Sequence, residues 1–293
     1  MADDPKERKH TFHAEATVFE GKLDLPLVEK IERQAFLKHN SQQETYLSQH
    51  AKDFKLEGVI SYRSAYTQVA GNKGRKPGVG WTTLATSVIE NLNILDVVTI
   101  DRVVSQIGVD HPDVGYVPAV YFLGTRFDNF RISGKEVKVD IDLDFLGQKP
   151  ADDQPYSKAP DLMKKIADQQ RAARKHSGLI KELSDRYPNP DAPKPGAAKK
   201  GATEQKVECT LVKTITLEPG VPGSVVNGHI LYIAGFGWIS LASLRMVESD
   251  YNKKSKIPMK TLLRLTMLEF HWGCSTSGHG SGGVSVTNGI TVP

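Results

Sequence analysis

Hydrophobic and polar positions alternate with a period of two along most of this chain. Residues 137–145 read Val-Lys-Val-Asp-Ile-Asp-Leu-Asp-Phe. In an extended segment Val137, Val139, Ile141, Leu143 and Phe145 share one face, and Lys138, Asp140, Asp142 and Asp144 share the other. Successive strand side chains point to opposite faces, so this pattern predicts a half-buried β-strand. Residues 11–19 repeat it, with Phe12, Ala14, Ala16 and Val18 opposing His13, Glu15 and Thr17. Residues 54–69 and 81–107 are β-prone, the latter rich in Val, Ile and Thr. Gly-rich residues 71–80 and Pro/Gly-bearing residues 108–118 read as loops. Short strands are expected over 117–123 and 126–132, with Ser133-Gly134 as a tight turn into 137–145. Residues 27–52 look irregular, with a short helix over 27–37. From Val207 the β pattern returns, with Asn227-Gly228 as a hairpin turn, strands over 230–234 and 238–247, a basic loop over 249–258 and a last strong strand over 261–272.

Between these β regions the period changes. Leu162, Ile166, Ala173, Ile180, Leu183 and Tyr187 fall on one helical stripe, interrupted by Gln169 and His176. Pro160 suits a helix start, and Gly178 weakens the middle. Residues 149–160 and 188–200 have the Pro-rich, polar composition of linkers. The expected fold is mainly β, an antiparallel β-sandwich or barrel-like domain with an inserted amphipathic helix. Residues 1–10 form a tail, and 11–147 with 207–273 form a single β domain. Residues 148–206 are a helical, Pro/Lys-rich insertion. Residues 274–293 are a Gly/Ser-rich tail, with an edge strand at Val284, Val286 and Ile290. Two β domains joined by a helical linker is the rival plan, disfavoured because the second stretch is short for an independent core.

Composition narrows the function. The 293 residues are 39% hydrophobic and 25% charged, as in a globular protein. Net charge is +4, and residues 151–206 hold all of it, with twelve Lys and Arg against eight Asp and Glu. A neutral β body argues against dedicated nucleic-acid binding. The charged first decad is not a secretory signal, and no apolar run approaches the ~18 residues of a membrane helix. Two cysteines, Cys209 and Cys274, are too few for a disulfide scaffold. Cytoplasmic residence is the simplest expectation.

Candidate chemistry is sparse. Asp140, Asp142 and Asp144 form a carboxylate row that would hold a calcium ion if a loop added carbonyl oxygens; a solvated outer face is the simpler reading. His271, Cys274 and His279, joined by Cys209, would make a four-ligand zinc site, although close cysteine pairs are missing. Buried Cys209 as a small hydrophobe is the plainer expectation. The loops at 71–76 and 278–283 lack the Lys-Ser/Thr ending of a phosphate loop, so no cofactor is expected; Lys73, Arg75 and Lys76 would still suit an anion. No serine stands in a Gly-x-Ser-x-Gly elbow. Tyr62, Tyr66, Trp81, Tyr116, Tyr121, Trp238 and Trp272 would offer stacking faces to a glycan, against the commoner role of aromatics in a core.

Residues 87–105 (Ser-Val-Ile-Glu-Asn-Leu-Asn-Ile-Leu-Asp-Val-Val-Thr-Ile-Asp-Arg-Val-Val-Ser) and 127–137 (Phe-Asp-Asn-Phe-Arg-Ile-Ser-Gly-Lys-Glu-Val) carry a family likeness. This part of the chain, 81–146, resembles uncharacterised bacterial β-rich proteins, some labelled "choice-of-anchor". The resemblance implies an all-β module without known catalysis and brings no site residues with it.

The leading expectation is a non-catalytic structural or interaction protein that assembles with itself, as homo-oligomer or filament, or binds a partner. It would use β edges, at 11–19 and 284–292, and the helical stripe. A carbohydrate or small-ligand module is the first alternative, and a metal-assisted hydrolase the second.

Overall fold

The structure, a computed structural model, describes residues 8–25, 28–151, 154–175, 181–191, 204–221, 223–249, 260–273 and 277–292. In chain order the first strands are β1 (Lys9–Leu25), β2 (Glu29–Gln34), β3 (Leu37–Ser41), β4 (Thr45–Leu56), β5 (Ile60–Lys73), β6 (Val79–Ile94), β7 (Val98–Pro112), β8 (Ala119–Tyr121), β9 (Arg126–Ile132) and β10 (Lys135–Ile141). A 3-10 turn (Tyr156–Lys158) leads into α1 (Pro160–Ala173) and α2 (Lys181–Arg186). Then come β11 (Gln205–Thr210), β12 (Val212–Leu217), β13 (Val225–Asn227), β14 (Ile230–Ile233), β15 (Gly237–Glu248), β16 (Thr261–Gly273) and β17 (Ser277–Val292).

Two antiparallel sheets pack face to face. The nine-stranded sheet runs β13-β14-β15-β16-β17-β1-β2, with β11 also on β15 and β3 also on β1. The eight-stranded sheet runs β12-β10-β9-β7-β6-β5-β4, with β8 on β7. Strands β1, β17 and β16 face β5, β6 and β7. One core joins both β regions, from Val18 and Phe19 through Ile89 and Val103 to Leu241, Leu265 and Phe270. This is a mainly β protein of sandwich type. Leu211, fully buried between β11 and β12, links the sheets: its N–H donates to Ala242 O at 3.0 Å, and its carbonyl accepts from Asp142 N at 2.7 Å.

Each sheet carries a transverse crease. In the eight-stranded sheet Asp53, Asn91 and Asn129 have φ of 52°, 55° and 50°. Each sits at a gap in an otherwise continuous ladder, as between Glu90↔Arg102 and Leu92↔Ile100. Ala242 (φ 45°) and Gly283 (φ 64°) do the same in the other sheet. A left-handed residue inside a strand flips the phase of alternation. In β6, Thr83, Ala85, Ser87 and Ile89 are buried before Asn91, and Leu92 and Ile94 are buried after it. Asn and Asp tolerate this conformation better than most residues, which explains three of the five positions.

Several expectations change. Residues 28–37 form no helix: β2 and β3 occupy most of the segment, held by pairing with β1, and Leu27 lies outside the described residues. The tail ends earlier than expected, because β1 starts at Lys9 and His10 is buried. Residues 284–292 are no edge. Strand β17 lies between β16 and β1, so both terminal strands expected at edges are interior and pair with each other, Thr17 opposite Val284. Strand β10 stops at Ile141, and Leu143 becomes exposed. Asp142 turns the chain there, its carboxylate accepting from Asp144 N at 3.2 Å.

The helical segment packs on its own sheet. Glu248, buried at the end of β15, accepts from Tyr156 N at 3.0 Å and Ser157 N at 2.8 Å and so fixes its entry. Pro160 stands in the first turn of α1. Leu162 and Ile166 enter the main core, while Ala173, Leu183 and Tyr187 form a second cluster with Ile230 and Trp238. Gln169, polar within the stripe, pairs its side-chain amide with Thr210 O (2.9 Å) and Thr210 N (3.1 Å). The described stripe residues are therefore buried within the chain and do not form a docking face; Ile180 lies outside the described residues.

Candidate functional site

The helical segment leaves part of the outer face of the nine-stranded sheet uncovered. There a groove of about 820 Å³ lies between α2 on one side and β2 on the other. Its walls and floor are charged. Arg186 donates to both oxygens of Glu269, at 2.8 and 2.5 Å. Glu20 is shared by Arg33 Nε at 3.0 Å and Arg264 Nη2 at 3.1 Å. Glu208 meets Arg245 Nε at 3.3 Å. His271 approaches Glu269 at 3.4 Å and stacks on His279, ring centroids 5.8 Å apart. These groups come from β1, β2, β11, β15, β16, β17 and α2, which only the folded sheet brings together.

Burial and pairing set the charges of the acids. Burial pushes Glu208 above the ordinary carboxylate range, against the pull of Arg186 and Arg245. Burial would also raise Glu269, but the hydrogen bond from His271 and the Arg186 charge outweigh it and hold it low. On β15 and β16, Arg245 and Arg264 stand directly opposite each other in the ladder. A signal for them was present in the sequence: each is a single arginine flanked by apolar residues, in Ser-Leu-Arg-Met-Val and Leu-Leu-Arg-Leu-Thr.

A second surface is one edge of the eight-stranded sheet, opposite the β12 edge. Among the described residues strand β4 pairs with β5 alone, from Thr45↔Gly71 to Leu56↔Ile60. Residues 46–50 are exposed throughout, Tyr46 by 64% and Leu47 by 37%. Lys52, Lys55 and left-handed Asp53 guard the second half of the strand, and residues 45–51 carry neither lysine nor proline.

The metal candidates are dispersed. Asp140 lies on β10 with Lys213 at 3.8 Å, and Asp142 and Asp144 occupy the turn beyond it. Cys209 is in the core, its Sγ 3.4 Å from Leu244 O, whereas His271 and His279 are on the outer face. Cys274 lies outside the described residues. Among the described residues no three His, Cys, Asp or Glu side chains gather as a metal centre. Of the aromatics considered for stacking, Tyr62, Trp238 and Trp272 are buried and Trp81 stacks on His10 beside His111, whereas Tyr66 and Tyr116 are half-buried and Tyr121 is exposed. Lys73, Arg75 and Lys76 line a separate polar cleft with Glu44 and Asp110. Among the described residues no helix is long and apolar enough to cross a membrane.

Two facing antiparallel sheets with a filled interior and a charged outer groove define an all-β sandwich protein. The chain belongs to the family described as Domain of unknown function (DUF8256), whose model matches residues 10–247. The matched residues include Glu20, Arg33, Arg186, Glu208 and Arg245; Arg264, Glu269 and His271 lie beyond them. No curated protein and no solved structure matches the chain.

Proposed function

We propose that this protein is a non-catalytic interaction protein that assembles with itself by pairing β4 with β4 of a second copy. The carrying observation is the open edge of β4: twelve residues, one partner strand, and an exposed stretch at 46–50. The outward backbone groups of an edge strand are a ready template for another strand. A two-fold antiparallel pairing centred on Ser48 is self-complementary. It sets Tyr46 against His50, Leu47 against Gln49, and Glu44 against Lys52, with no like charges facing. Each eight-stranded sheet then continues into its copy. The groove acids fit a binding surface better than a catalytic centre, because Glu20, Glu208 and Glu269 are each bound by arginine and Glu32 by Lys30. A cytoplasmic setting belongs to this reading and agrees with the free thiol of Cys209.

Light scattering at high protein concentration tests it. The native chain should show twice the chain mass. Leu47→Lys with Gln49→Lys sets lysine against lysine twice across the pairing and should give a monomer. Leu47→Lys with Gln49→Glu should restore the dimer. A native protein that stays monomeric sinks the proposal.

A further inference from the structure

We propose that the outer groove binds a small phosphate-bearing anion, gripped between Arg245 and Arg264. Facing like charges on neighbouring strands destabilise a sheet, and these two arginines occupy directly opposed positions on β15 and β16. The ion pair of each lies on its far flank, Arg245 with Glu208 on β11 and Arg264 with Glu20 on β1, and the charges of Glu208 and Glu269 also reach Arg264. Among the described residues no carboxylate bridges the two. An anion seated between them relieves the repulsion that these flanking acids offset only in part.

The donor inventory points to the class of anion. A guanidinium carries five N–H groups in a fixed fork. Among the described residues the carboxylate contacts engage Nε of Arg245 and one terminal nitrogen of Arg264, which leaves further donors on each fork for a ligand in the groove. Arg33 adds a guanidinium on the opposite wall, where it stacks on Phe36 at 4.7 Å. Donors arriving from separate strands suit a tetrahedral oxyanion, whose oxygens point several ways, better than a flat carboxylate. His271 and His279 supply further ring nitrogens at the floor. A volume of about 820 Å³ exceeds what a bare phosphate fills and suits a diphosphate or a phosphorylated sugar. This site lies on the nine-stranded sheet, apart from β4, and stands or falls independently of self-pairing.

Calorimetric titration of the full chain with pyrophosphate, at physiological ionic strength, tests the assignment. The native protein should bind it, and Arg245→Met and Arg264→Met should each weaken binding by about tenfold or more. Lys73→Met with Lys76→Met, in the separate cleft, should bind as the native chain does. If Arg264→Met does not fold, Arg264→Lys keeps the charge, loses the fork, and should still weaken binding. No binding of pyrophosphate, binding lost through the Lys73 and Lys76 changes but not the arginine ones, or citrate binding as tightly as pyrophosphate would each overturn the proposal.

Discussion

Arg186 on α2 and Glu269 on β16 form a two-pronged ion pair, 2.8 and 2.5 Å, that fastens the end of the helical segment to the outer face of the sheet. Both side chains are largely covered, exposed by 27% and 19%. Forked, charge-assisted bonds of this kind are among the stronger polar contacts, and removing one partner strands the other. Arg186→Met should cost about 2 kcal/mol. Hydrogen exchange should show faster exchange at 181–191 than in β16. Unchanged protection of α2 would mean that Tyr187 packing alone holds the segment.

Acid should unfold this protein early. Burial lowers His229 from 6.5 to about 3, helped by the Arg186 charge, and lowers His10 to about 4, helped by Arg8. His111, 4.5 Å from His10 between ring centroids, is held well below 6.5 by burial and by His10. All three are therefore neutral when folded and take up protons when unfolded. Their shifts do not affect stability above the unfolded value of 6.5. Below it the unfolded chain binds more protons, and stability falls by up to roughly 1.4 kcal/mol per pH unit for each histidine. The His10 contribution levels off near pH 4 and that of His229 near pH 3. Melting temperature should be flat between pH 7 and 8 and drop steeply below 6. Neither ring nitrogen of His229 has a hydrogen-bond partner among the described residues, so His229→Leu should flatten the slope. An unaltered slope would count against its burial.

The crease at Asn129 should tolerate few replacements. Its φ is 50°, and its Nδ2 donates to Asp101 Oδ2 at 2.7 Å across to β7. A β-branched residue there meets both the left-handed penalty and the lost bond, so Asn129→Val should cost about 2 kcal/mol. Asn129→Gly loses the bond but relieves the strain, and should cost less. Urea denaturation of both variants gives the order; a Val variant as stable as the Gly variant would contradict the left-handed assignment.

Cys209 should be inert in the folded protein. It is fully buried in the core, and burial pushes its thiol well above the ordinary cysteine range. The thiolate is the reactive form, so both access and chemistry oppose labelling. In a Cys274→Ser background, maleimide should leave the native chain unmodified and react in step with urea unfolding. Rapid labelling under native conditions would place Cys209 outside the core.

The sequence carried the local features well. Two-residue alternation marked β1, β10, β11 and β16. Ser133-Gly134 and Asn227-Gly228 marked turns, and Pro160 marked the start of α1. It misled where pairing overrode local pattern. Glu29–Gln34 became a strand because β1 offered it a ladder. The Asp row broke because Asp142 bonds Leu211 and turns. The arginines of the groove were visible as odd charges flanked by apolar residues, but not as neighbours of Glu20, Glu208 and Arg186.

The mainly β class and the helical insertion followed from the sequence by itself, because hydrophobic period and turn chemistry act over a few residues. Only the tertiary structure decided that the last strand lies between β16 and β1, that the helical stripe turns inward, and that arginines on β15 and β16 meet at one groove. Those outcomes depend on which distant strands exchange hydrogen bonds and in what register. A period of two says that a strand has two faces, but not what lies across either of them.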